Sequence, residues 1–147
     1  MAGRPGAPYR RAVSYVVPIV IGLVYCALNS LIREPHRRSF NALMIAGAGA
    51  AYLSGGGLGP WELAFTTAMT YVAFRGLSSW AWIGAGWVLH TSWDVVHDLI
   101  DRPLLPFAPD SSFGCAVCDL VIAAWCFAGG PSIGDLRRRL TAARTSS

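Results

Sequence analysis

Residues 80–100 read WAWIGAGWVLHTSWDVVHDLI, an apolar run from Trp80 to Ile100 that contains His90, Asp94 and His97. The spacing is i, i+4, i+7, so an α-helix puts these side chains on one face. The run is long enough to cross a bilayer, for which about 20 residues suffice. Imidazole and carboxyl groups are costly in hydrocarbon and persist there only with a partner, a metal ion or a water-filled cavity. The stretch therefore predicts a membrane helix and, on it, a site.

The remainder of the chain follows the same pattern. Of 147 residues, 54% are hydrophobic and 14% charged, with mean hydropathy +0.44. Ordinary soluble domains carry roughly 25% charged residues. The charges collect in short clusters between apolar runs, as in multi-pass membrane proteins. Further apolar segments run from Ala12 to Ile32, Phe40 to about Leu58, Pro60 to Arg75, and Phe113 to about Gly130. The expected fold is all-α: a polytopic bundle of five transmembrane helices over residues 12–130 in the cell membrane. It lies between an N-terminal flank, 1–11, and a basic tail, 131–147. Because three segments are short for a span, the alternative is four spans plus a re-entrant Gly-rich segment.

Local signals mark the helix ends. Pro60 suits a first helical position, with Gly59 before it. Ser79 is placed to cap the fourth helix, and Ser111 or Ser112 the fifth. Pro103, Pro106 and Pro109 keep their connection non-helical. Trp61, Trp80, Trp82, Trp93 and Trp125 suit interface or packing positions. Glu34 and Arg38 have i, i+4 spacing, but Pro35 makes a continuous helix between them doubtful. Ala12 to Ile32 is long for a cleaved leader and reads as a retained span.

Five spans put the amino terminus and the 55–61 and 101–112 connections on one side. The 33–39 and 75–79 connections and the tail share the other side, which holds Arg33, Arg37, Arg38, Arg75, Arg137, Arg138, Arg139 and Arg144. The positive-inside rule then makes that second side cytoplasmic, although Arg10 and Arg11 before the first span pull the other way. The tail reads as a solvated flank, or as a short helix on anionic headgroups. The net charge of +4 is explained by topology, so nucleic acid is not an expected partner.

The same arrangement gathers polar groups at one depth. Glu62 opens the third helix, Asp94 and His97 end the fourth, and Cys115, Cys118 and Asp119 begin the fifth. His90, Asp94 and His97 suit a divalent transition metal such as zinc, with Glu62 or Asp119 completing the shell or acting as general base. A metal-bound water would be the nucleophile in a hydrolysis. The alternative is a structural network, or proton handling without metal. Cys115 and Cys118 form a CxxC without a second pair, which leaves a redox dithiol, a disulfide or simple packing open. The glycines from Gly55 to Gly59 lack the Lys of a phosphate loop and read as a tight connection. Ala46 to Ala51 reads as close helix packing.

Several of these motifs also occur together elsewhere. Arg33-Glu34-Pro35, the run from Ala46 through Gly57, and Gly59-Pro60-Trp61-Glu62 resemble a family of small bacterial integral-membrane proteins of unknown function. The resemblance continues through Gly86 to His97, Pro106 to Pro109 and Gly114 to Asp119. It implies membrane class and supplies no activity. A looser similarity is to membrane-embedded hydrolases of the alkaline ceramidase and adiponectin-receptor kind, which hold zinc between helices but have seven spans and another motif order. The leading expectation is a metal-binding membrane protein, or a metalloenzyme acting on a lipid or other membrane-soluble substrate. Its rivals are a proton- or cation-handling transporter subunit, which would have to form a homo-oligomer, and an accessory scaffold.

Overall fold

A computed structural model of the chain describes residues 7–105 and 107–145; Pro106 and the residues at both ends, Arg4 among them, lie outside this set. The chain is 78% helix, with no strand among the described residues. The helices are α1 (Ala7–Asn29), α2 (His36–Gly55), α3 (Pro60–Gly76), α4 (Trp80–Leu99), α5 (Ser111–Phe127) and α6 (Ile133–Thr145). At 1.5 Å per residue, α1 to α5 are about 26 to 34 Å long.

Most boundaries follow the apolar runs, and the departures have local causes. Helix α1 begins before Ala12, because Pro8 is tolerated in a first turn and nothing requires that turn to be apolar. Helix α2 begins at His36 rather than Phe40, continuing a turn in which Arg37 N–H donates to the Arg33 carbonyl at 3.1 Å. Ala46 to Ala51 lies inside unbroken helix. Its small residues serve the contact with α3, where a Cβ on Gly49 would stand 2.5 Å from Met69 Cβ.

The caps differ in detail from expectation. Ser79 takes the N-cap position of α4 with extended backbone, but its hydroxyl makes no capping bond. Asp110, not Ser111 or Ser112, occupies the N-cap position of α5. The two serine hydroxyls instead accept from Leu105 N–H at 3.1 Å and Leu104 N–H at 3.0 Å, which ties the preceding connection to α5. Glu34 meets Arg37 at 3.3 Å rather than Arg38, because Pro35 breaks the helical spacing. Arg38 donates to the Leu77 carbonyl at 3.0 Å.

Helices α1 to α5 run up and down, with α4 packed against α2, α3 and α5, and α1 against α5. Contacts between connections give the sidedness. At one end Arg102 donates to the Gly57 carbonyl at 2.8 Å. At the other, Arg38 reaches Leu77 and Ser30 donates to the Pro131 carbonyl at 2.9 Å. These are the pairings of connections that five antiparallel helices require.

Burial is inverted relative to a water-soluble bundle. Asn41, Arg37, Glu62, His90, Asp94, His97 and Asp119 are buried, while Val16, Val20, Leu23, Leu43, Leu63, Phe74, Leu99 and Leu120 are exposed. Among the described residues, α1 is the helix long and apolar enough by itself to cross a membrane.

Candidate functional site

Helix α4 contributes His90, Asp94 and His97 to the middle of the bundle, and the neighbouring helices decide what each one meets. Tyr52 arrives from the end of α2, Glu62 from the first turn of α3, and Asp119 from α5. The turn between α2 and α3 makes the first two neighbours. Gly57 and Gly59 have φ of +78° and +60°, which residues with a Cβ rarely adopt. Gly56 lies so close to Glu62 that a Cβ would fall 2.0 Å from Oε1.

His90, Asp94 and Asp119 form one group. Each offers a ligand atom, and these atoms lie within 4.8 Å of one another; no other such group occurs among the described residues. His90 Nδ1 is 2.7 Å from Asp119 Oδ2 and 3.1 Å from Asp94 Oδ2. Its other nitrogen, Nε2, stands 3.2 Å from the Ala48 carbonyl. A carbonyl only accepts, so Nε2 carries a proton and Nδ1 is left facing both carboxylates. Either a second proton or a cation has to occupy that point.

The outer contacts fix the group in place. The Tyr52 hydroxyl donates to Asp94 Oδ1, and both partners are fully buried. Asp94 Oδ2 has no aligned hydrogen-bond donor among the described residues, although His90 Nδ1 is within ion-pair distance. A buried carboxylate oxygen without a donor is rare, and here it points at the spot where the ligand atoms converge.

His97 belongs to a second pair. Its Nδ1–H donates to the Arg102 carbonyl at 3.0 Å, and Nε2 lies 3.2 Å from Glu62 Oε1 without the alignment of a hydrogen bond. Glu62 accepts from Trp93 Nε1–H at 3.0 Å and Leu58 N–H at 3.2 Å. The Tyr52 ring stacks on His97 with centroids 4.4 Å apart, so one side chain touches both the group of three and this pair. An open pocket of about 340 Å³ at this end is lined by Tyr52, Gly55, Gly57, Gly59 and Glu62.

The sequence candidates thus separate. His90, Asp94 and Asp119 come together; His97 and Glu62 pair beside them. Cys115 and Cys118 are half-buried free thiols on the helix that carries Asp119, outside the group of ligand atoms. Asp98, near the end of α4, and Asp101, just beyond it, are exposed. Sequence reasoning passed over Tyr52, because its run of Gly and Ala already had an explanation in helix packing. A phenol one turn before a Gly-rich connection, level with Glu62, was the available signal.

In comparisons with known proteins, the model of a family of unknown function, DUF6010, matches residues 13–132. No curated protein and no solved structure matches the chain.

Proposed function

The chain belongs to the DUF6010 family of unknown function, so its chemistry has to be read from its own residues, and we propose that it is a multi-pass membrane protein with a buried divalent-metal site. The inverted burial supports the membrane part: polar groups line the interior and large apolar side chains face outward on α1 to α5. Helices of about 26 to 34 Å suit a hydrocarbon core of about 30 Å.

The single observation behind the metal is the convergence of His90 Nδ1, Asp94 Oδ2 and Asp119 Oδ2. Its outer shell is of the kind ligands need. The Nε2–H of His90 is held by the Ala48 carbonyl, which frees Nδ1 to ligate, and the Tyr52 hydroxyl holds Asp94. Charge favours the same choice. A divalent ion neutralises two carboxylates, whereas an imidazolium leaves one negative charge buried, at a cost of several kcal/mol or about that order. One imidazole and two carboxylates leave a coordination position open, as catalytic sites do. In this reading the ligands are His90, Asp94 and Asp119. Glu62 and His97 form the adjoining proton acceptor beside a pocket that opens at the α2–α3 turn. Zinc suits the donor set, and a lipid or other membrane-soluble substrate suits the setting.

Elemental analysis of detergent-purified protein tests this. Wild type should carry near-stoichiometric transition metal, His90→Ala and Asp119→Asn should lose it, and His97→Ala should keep it. Metal content unchanged in both His90→Ala and Asp119→Asn would overturn the proposal. The 2.7 Å contact between His90 and Asp119 favours one rival, a proton held on Nδ1 and passed within the bundle. That rival predicts metal-free protein whose proton flux in proteoliposomes depends on Asp119.

A further inference from the structure

The opposite end of the bundle carries a second concavity that shares no residue with the site described above. It measures about 620 Å³ and lies between the α1–α2 connection and the start of α6. Arg33, Arg37, Arg137 and Arg138 line it, against only Glu34 and Asp135 of opposite sign. Four positive and two negative side chains leave an excess of two positive charges at one pocket.

Topology alone accounts for arginines at this end, but not for how they are held. A topological arginine needs only water. Arg37 is 4% exposed, donates to the Ile32 carbonyl at 2.9 Å and to Glu34 at 3.3 Å, and lies 5.8 Å from the Trp80 ring centre. Its Nε is buried and lacks a partner among the described residues. A buried guanidinium with a donor to spare is costly unless an acceptor completes it. Arg138 is paired with Asp135 at 2.5 Å, while Arg33 and Arg137 are exposed and form no ion pair among the described residues. The pocket thus combines one buried, under-satisfied guanidinium with two exposed ones that form no ion pair among the described residues.

We propose that this pocket binds a phosphate group. Guanidinium forks match phosphate oxygens in geometry and charge, and the pocket is wide enough for a group with substituents. The same chemistry is offered by free phosphate and by the headgroup of an anionic phospholipid, which would reach this end at the bilayer surface. The inference does not depend on the metal reading, because it uses none of those residues.

Trp80 supplies a reporter, since its Nε1–H donates to Glu34 at 2.9 Å beside Arg37. The full chain, purified in a neutral detergent, is titrated with inorganic phosphate and, in separate nanodiscs, with phosphatidylglycerol against phosphatidylcholine. Binding is read from tryptophan fluorescence and from bound phosphorus after washing. Arg33→Gln with Arg137→Gln should weaken binding by about tenfold or more, since each charge-assisted contact is worth more than a neutral one. Arg75→Gln, which removes a charge at the same end outside the pocket, should have little effect. Phosphate binding that depends on the pocket supports a soluble ligand; dependence seen only with phosphatidylglycerol supports the lipid. Equal loss in Arg75→Gln, or no binding of either probe, overturns the proposal.

Discussion

Tyr52 shows how one side chain can determine what several ionisable groups do. Its hydroxyl donates to Asp94 while its ring covers His97, so Tyr52→Phe removes one contact and leaves the other. Asp94 would keep both oxygens buried with no aligned donor, a loss of about 1–3 kcal/mol in stability measured by denaturant titration in detergent. Because Asp94 is a proposed ligand, metal affinity should fall about 10- to 100-fold, read by competition with a chelating dye. Unchanged affinity would place the hydroxyl in packing alone. The sequence made His90 and Asp94 legible because i, i+4 spacing puts them one turn apart. It grouped His97 with them by face alone. Seven residues along a helix is about 10.5 Å of rise, and in the structure His97 meets Glu62 and the Arg102 carbonyl instead. Asp119 is the nearer partner, and only the packing of α5 on α4 reveals which carboxylate that is.

Helix α2 carries a contrast that separates packing from propensity. Gly47 faces open space, whereas Gly49 sits against Met69 of α3. Gly47→Ala should raise stability by about 0.5–1 kcal/mol, through backbone entropy alone. Gly49→Ala should lower it by about 1–3 kcal/mol, because α2 and α3 must separate to admit the methyl group. Thermal unfolding of the two variants in one detergent measures both signs. Helix α6 offers a pH test outside the bundle. Hydrogen bonds from Ser132, with Arg138 close by, hold the Asp135 carboxyl down at about 2, below its ordinary 3.8. A carboxyl depressed by folding stabilises its element fully above the ordinary value. That contribution fades as pH falls from there through about 2. Backbone shifts of residues 132–136 should therefore move over this interval in wild type and stay flat in Asp135→Asn. Element positions were legible from apolar runs and proline, but caps were not. Ser111 and Ser112 have ideal capping chemistry, yet their hydroxyls are taken by the connection before them.

At the scale of the whole molecule, the arrangement of connections and the inverted burial make separate statements. The alternation of helices follows from contacts alone: Arg102 with Gly57 at one end, Arg38 with Leu77 at the other. That order was readable from five apolar runs and their short connections. A bilayer around it is a further step, and among the described residues α1 alone makes that step by length and composition. Helices α3 and α5, at 17 residues each, are shorter, whereas α2 and α4 carry much of the polar interior: α4 holds His90, Asp94 and His97, and α2 holds Arg37 and Asn41. The fold turns those polar side chains inward, and the apolar side chains left facing outward are what lipid would meet. If five helices span, the protein should stay with the membrane pellet after an alkaline carbonate wash, and its ends should lie on opposite sides. With the arginine-rich side cytoplasmic, a protease added to intact spheroplasts should remove an amino-terminal tag and spare a carboxyl-terminal one until the membrane is permeabilised. Release by carbonate would exclude every span, α1 included, and return the buried carboxylates to a water-soluble setting; both tags behaving alike would require an even number of spans and exclude five.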